Sequence, residues 1–338
     1  MKRSLFVLLA SVLALHVQAQ QGVFYVNEFE TQGPPLAIAA DGDGNVYYTV
    51  FTFAGANQTA SYYVEDPLQE VANPEHVLIS DAAETDVPAG RGFSGIAVDE
   101  AGNVYLALES GSADTANVRK LSPAPDFAPV DDFGGGVVPG GSRMNGVDVI
   151  DADTLVLSTF STIEIWDAND SAPLVEVTGA EPFQRDVAYN PNNGDIYVSR
   201  NGGESPESVN RVVPEEQGDI FTYTTFENGF IPNGAVATEF GSNGQLIEYD
   251  PVNDWIIIPD FSEDQSRVAF YQSDSPSQAA FFIDGSESPN GPFGTPSDIA
   301  AYTSASTGET TFYITDNPNN RILIYSTEDT SVTDWRLF

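Results

Sequence analysis

The 338-residue chain carries 50 Asp and Glu against 12 Lys and Arg, a net charge of −38, and it contains no cysteine. So large an excess of negative charge excludes nucleic acid and anionic lipid surfaces as partners, because both repel it. The missing cysteine excludes a disulfide framework, a thiolate zinc site, a cysteine nucleophile and a lipidated N-terminal cysteine, so apolar packing has to hold the fold together.

The first predicted element is a leader. Met1, Lys2 and Arg3 form a short positive region, Leu5 to Val17 is an almost unbroken apolar run, and Val17-Gln-Ala19 is a small-x-small cleavage pattern. Residues 1–19 therefore read as a signal peptide, and residues 20–338 as a single mature domain, monomeric and exported to the periplasm or the exterior. The run is too short for a comfortable membrane span, and no other stretch reaches about 18 apolar residues, so no transmembrane helix is expected. Once Lys2 is removed, Lys120 is the sole lysine. Such a surface suits a halophilic protein, in which salt screens the self-repulsion; an ordinary acidic secreted protein shares the signature.

Beyond the leader, apolar residues alternate over four to eight positions between clusters of Gly, Pro, Asn and Asp, which predicts strands throughout. A strand–turn–strand unit recurs along the chain. It runs from Leu36 through Asp41 and Asn45 to Tyr48, and from Ser94 through Asp99 and Asn103 to Leu106. Degraded copies follow at Asn145–Leu157, Asp186–Val198 and Leu246–Ile258, and a sixth joins Asp298–Tyr302 to Thr311–Asp316. Successive copies are 40 to 60 residues apart, enough for a four-stranded sheet with its loops. Third strands are expected at Ser61–Val64, Asn117–Leu121, Ile163–Trp166, Arg267–Tyr271 and Arg321–Tyr325. Radially repeated four-stranded antiparallel units make a β-propeller, here with six blades. The ring is expected to close through the N-terminal strand Val23–Phe29, laid beside Arg321–Tyr325.

Two segments carry a family resemblance. Gly95-Ile-Ala-Val-Asp99 with Gly102-Asn103-Val-Tyr-Leu, and Tyr313-Ile-Thr-Asp316 with Asn320-Arg321-Ile-Leu-Ile-Tyr325, resemble the two halves of the NHL repeat. The wider group of six-bladed propellers similar to this includes the gluconolactonase and regucalcin family. The resemblance implies an all-β propeller; such scaffolds host binding modules and enzymes alike.

Candidate sites follow from where the scarce charges fall. Arg91, Arg143 and Arg185 precede innermost strands, and Arg200 and Arg211 flank a long insertion, Asn201–Gly218, expected between the second and third strands of the fourth blade. Five guanidinium groups on one loop face, beside Asn145, would seat a small anionic ligand, a glycan or the carboxylates of a protein partner, since Arg forks grip oxyanions bidentately. The plainer reading is that each Arg neutralises an acidic neighbour. A second set, Asn145, Asp186 and Asp298, lies near the starts of innermost strands and offers hard oxygen ligands to Ca²⁺. Asn145-Gly146 resembles the Asn-Gly element that supplies a metal ligand in the gluconolactonases, which implies a Ca²⁺-dependent, lactonase-like hydrolase as the alternative to a binding module. Glu28 and Glu30 stand in a different sequence context from that family's early acidic ligand. Asp41-Gly-Asp-Gly-Asn45 looks like a calcium loop but lacks the full ligand pattern, and is expected to be a hairpin turn.

Overall fold

The computed structural model describes residues 22–50, 59–64, 75–81, 92–109, 117–128, 130, 144–152, 154–167, 172–177, 184–200, 207–216, 222–232, 246–262 and 265–327. The leader, Arg91, Arg143 and the last residues, 328–338, lie outside these.

After β1 (Phe24–Glu30), the strands fall into consecutive antiparallel sheets. The first holds β2 (Pro35–Ala40), β3 (Val46–Val50), β4 (Thr59–Val64) and β5 (Glu75–Asp81). The second holds β6 (Gly92–Val98), β7 (Val104–Glu109) and β8 (Asn117–Leu121). The third holds β9 (Met144–Asp151), β10 (Thr154–Thr159), β11 (Ile163–Asp167) and β12 (Val175–Val177). The fourth holds β13 (Gln184–Tyr189), β14 (Ile196–Arg200), β15 (Glu207–Pro214) and β16 (Tyr223–Pro232). The fifth holds β17 (Glu248–Asp250), β18 (Trp255–Ser262), β19 (Gln265–Gln272) and β20 (Phe281–Ile283). The last runs β21 (Pro296–Thr303), β22 (Thr310–Asp316), β23 (Arg321–Ser326) and then β1. The protein is an all-β propeller with four-stranded antiparallel blades. Among the described residues five sheets have four strands and β6-β7-β8 has three.

The gradient of side-chain size along each blade explains the radial shape. Innermost strands present small residues to the crowded axis, and second strands carry bulk: Ala39 pairs with Tyr47, Ala97 with Tyr105, Ala188 with Tyr197 and Ala300 with Tyr313. Those tyrosines are buried. Apolar clusters then fill the gaps between neighbouring sheets, as where Trp255, Ile257 and Phe270 meet Ile299 and Phe312. The first and last sheets share one too, with Ile38, Val46 and Tyr48 against Ala300, Tyr313, Ile322 and Ile324.

The Asp41 and Asp99 segments are turns, and the carboxylates are spent inside them. Asp41 Oδ1 accepts from the N–H groups of Asp43 and Asn45, both at 2.9 Å, while Oδ2 accepts from Asn45 Nδ2 and the Tyr47 hydroxyl, both at 2.7 Å. Asp99 repeats the set with Ala101, Asn103 and Tyr105. Gly44 and Gly102 take φ of 82° and 81°, a region that glycine enters without steric cost.

One expectation needs correcting. The stretch Asn201–Gly218 is not a continuous insertion, because Glu207–Pro214 is the third strand of its blade, with Val209 and Val212 buried. Polar Glu207, Ser208, Asn210 and Arg211 mask that strand in the sequence.

The N-terminal strand is tied to the last sheet by a buried cation. Arg321 Nε donates to Asp316 Oδ2 at 2.8 Å, Nη1 to Glu28 Oε2 at 3.1 Å and Ser288 Oγ at 3.0 Å, and Nη2 to the carbonyls of Gly291 and Pro292 at 2.8 Å each. Glu28 belongs to β1, so the same guanidinium joins β1, β22 and the loop after β20. Arg321→Ala removes the cation beside the fully buried Asp316, which keeps the N–H groups of Gly294 and Thr295 and the Asn319 amide as donors, and should cost about 3–5 kcal/mol in urea unfolding. Arg211, whose side chain is 25% exposed, should cost below about 1 kcal/mol on the same change. Equal losses at the two positions would show that the network does not tie β1 down.

Candidate functional site

Each innermost strand is hydrogen-bonded along one edge only, since β2, β6, β9, β13, β17 and β21 all stand at the end of their sheets. Their free edges face a common channel, where backbone N–H groups need acceptors. Three aspartates meet that need across the gaps between blades. Asp148 Oδ2 accepts from Tyr189 N at 2.7 Å, Asp186 Oδ2 from Ile247 N at 3.1 Å, and Asp298 Oδ2 from Ile38 N at 2.7 Å. Tyr189 and Ile38 sit on the innermost strand of the next blade, and Ile247 immediately precedes β17. The second oxygens are also used in two cases, Asp148 Oδ1 by Val149 N and Asp298 Oδ1 by Ile299 N.

Local bulges set these side chains in place. Pairing shifts register between Gln184 and Asp186 and between Pro296 and Ile299, and the displaced N–H groups find hydroxyls on the second strand: Asp186 N donates to Ser199 Oγ and Asp298 N to Thr315 Oγ1. Ala37 N donates to Thr49 Oγ1 in the equivalent place of the first blade. Gly146 makes room for Asp186, because a Cβ on Gly146 would fall 2.0 Å from Asp186 Oδ1 and 2.7 Å from its Cα.

The strands enclose a cavity of about 160 Å³ whose wall includes Asp148, Asp186, Glu248 and Asp298 and no basic side chain. Glu248 occupies the register of Asp148, paired with Ile257 as Asp148 is with Val156. In the other four blades that register is Ala opposite Tyr. Glu248 makes no hydrogen bond or ion pair among the described residues. Burial pushes the Asp148 carboxyl up to about 6 against the pull of its two N–H donors. Burial likewise raises Glu248, helped by the negative charges of Asp148, Asp298 and Asp186, and it raises Asp186 and Asp298 well above the ordinary carboxylate range.

Of the residues expected to hold Ca²⁺, Asp186 and Asp298 line this cavity and Asn145 does not; its Nδ2 donates to the Gln184 carbonyl at 2.6 Å. Asp148 and Glu248 are the members that the repeat alignment missed. Their signal was an acid where the other copies carry Ala. Among the described residues no three acidic side chains converge closely enough to ligate one ion directly.

Of the arginines, Arg200 pairs with Gln184 at the end of its blade where Arg185 also lies. Arg211 sits elsewhere, opposite Tyr197, bonded to Glu227 Oε2 at 2.7 Å and Asp195 Oδ2 at 3.5 Å, with its guanidinium 4.3 Å above the Phe230 ring. That placement matches the neutralising reading for Arg211.

No family model matches the chain, and no curated protein matches it. A solved structure titled as the crystal structure of a nidogen/laminin complex aligns over 82% of this chain and 91% of its own, with a TM-score of 0.51 and 12% identity. At that identity the likeness shows the propeller fold alone. Among the described residues no helix is long and apolar enough to cross a membrane.

Two measurements check the channel chemistry. A carboxyl whose folded pKa is raised binds its proton more tightly in the folded state, so its stabilisation is present below about pH 4 and is lost as pH rises through about 6 for Asp148. In EDTA, the stability difference between pH 4.5 and pH 8 should therefore shrink by up to roughly 2 kcal/mol in Asp148→Asn; an unchanged difference would contradict the assignment. Gly146→Ala should lose about 1–3 kcal/mol through its collision with Asp186, and a neutral effect in urea unfolding would contradict the close approach.

Proposed function

We propose that this chain is an exported six-bladed propeller of the NHL-like kind, its ring closed by β1, that works as a binding module through the loop face at the starts of its innermost strands. The observation that carries the reading is how the channel carboxylates are used. Asp148, Asp186 and Asp298 are committed to N–H groups of the next blade, so they serve the ring and leave recognition to the loops. Rigid scaffolds that present variable loops are where binding residues concentrate.

Three further observations support parts of this reading. The shared apolar cluster of the first and last sheets and the pairing of Phe24 to Glu30 with Ser326 to Arg321 support a closed ring. The leader-like residues 1–19 support export. The nidogen/laminin structure is a propeller found in a protein–protein complex, which fits a protein partner here. The recognition chemistry is anionic, because the partly exposed Arg185 lies at the end of a blade in a chain otherwise dominated by carboxylates, with Arg91 and Arg143 expected beside it, while Arg200 at the same end is buried and adds its charge from within.

The test exploits the net charge of −38. In moderate salt such a protein repels anions unless a local cationic site overrides the field. A labelled acidic peptide and a sulfated oligosaccharide should show saturable binding to the mature chain, weakened at least tenfold by Arg185→Ala. No binding of either probe, or binding indifferent to Arg185→Ala, would overturn the anionic recognition face.

A further inference from the structure

We propose that Asn290-Gly291 is a self-modification site, where the Asn290 amide is lost through a cyclic imide and the product loosens the N-terminal strand from the last sheet. The site lies at the seam between β1 and β23 and is independent of the binding-module reading.

The first ground is local geometry. Asn290 is exposed, and Gly291, at φ 91°, has nothing within 4 Å of where a Cβ would stand. Without a side chain on that residue, its backbone nitrogen is free to swing onto Asn290 Cγ. The new C–N bond closes a five-membered imide, and the side-chain nitrogen leaves as ammonia with the proton from Gly291 N. Water then opens the imide at either carbonyl. One product is aspartate; the other is isoaspartate, in which the main chain runs through the former side-chain carbon. The co-reactant is water alone, and base speeds the closure because the attacking nitrogen sheds a proton.

The second ground is the contrast with other Asn-Gly pairs among the described residues. Asn145 is 3% exposed and donates to the Gln184 carbonyl, and Asn193 bonds Asp195 through both its side-chain oxygen and nitrogen, at 2.9 Å each. Gly229, which follows Asn228, gives its N–H to the fully buried Asn210 at 2.9 Å, so that nucleophile is committed inside the sheet. Gly291 N donates to the Ser288 carbonyl of its own surface turn, at 3.0 Å. That bond opens without disturbing a strand.

The third ground is what the reaction undoes. Asn290 Nδ2 donates to Glu28 Oε1 on β1, while Glu28 Oε2 accepts from Ser288 Oγ and Arg321 Nη1. Conversion to an acid removes that donor and sets a second carboxylate against Glu28, so repulsion replaces a hydrogen bond. Isoaspartate does more: its additional main-chain carbon displaces the Gly291 and Pro292 carbonyls, both of which Arg321 Nη2 holds at 2.8 Å.

The experiment ages the mature protein in molar KCl at mildly alkaline pH and samples it at intervals. Peptide mass mapping reads conversion at each Asn-Gly pair, isoaspartyl methylation reads the rearranged product, and hydrogen exchange of residues 24–30 reads the seam. Asn290 should convert ahead of Asn145, Asn193 and Asn228, and exchange in β1 should rise at least tenfold in the converted fraction. Asn290→Asp should show that rise from the start. Asn290→Gln, whose longer side chain would have to close a less favourable six-membered imide, should keep β1 protected throughout. An Asn290 amide that outlasts those of the other three pairs would overturn the proposal, as would conversion that leaves β1 exchange unchanged. Should Asn290→Asp fail to fold, the aged wild-type protein decides by the same two readings.

Discussion

The structure depends on one constraint, the unpaired edge of the strand nearest the axis. A strand at the end of a sheet leaves half of its N–H and C=O groups unbonded, and at the centre of a propeller those groups face a narrow shared channel. Asp148, Asp186 and Asp298 answer it by reaching across the gap to N–H groups at 2.7, 3.1 and 2.7 Å on the next innermost strand or, for Ile247, immediately before it. The carboxylates therefore bridge blade to blade where no sheet hydrogen bond can. Apolar clusters on either side supply most of the cohesion; the aspartates fix the register between blades.

That solution has a chemical consequence. Carboxyl groups collected around one cavity, with no basic residue in its wall, raise one another's proton affinity on top of the effect of burial. Backbone donors offset the cost for three of them, and Glu248 is the exception. The same strand edges thus bring to the cavity one carboxylate, that of Glu248, without a hydrogen-bond partner among the described residues. At the end of the fourth blade Arg185 is partly exposed, whereas Arg200 is buried.

Much of the architecture was legible because the repeat unit is a physical device that recurs with its residues intact. Asp41 and Asp99 begin turns in which Asp, Gly, Asn and Tyr each have one task, so the copies resemble one another and locate the strands on either side. The third strands at Asn117–Leu121 and Arg321–Ser326 stand where alternation placed them. The fourth blade was read less well, because Glu207–Pro214 carries polar residues at positions that look like loop and hid a strand holding Arg211. The channel acids were half legible. Asp186 and Asp298 share one register and stood out as early acids in their strands, whereas Asp148 and Glu248 lie two positions further along. Seeing them required the pairing of Ala with Tyr in four blades, which only the register reveals.

The most direct measurement of the inter-blade bridges is native-state amide hydrogen exchange at Ile38, Tyr189 and Ile247, resolved by NMR. Ile38 and Tyr189 sit on free strand edges and Ile247 just before β17, and among the described residues their acceptors are the three aspartates. If the bridges hold the ring, all three exchange as slowly as the paired amides of the second strands, through global unfolding alone. Exchange at rates close to those of an unprotected backbone would mean that the edges are solvated by the channel and that the aspartates do not join the blades.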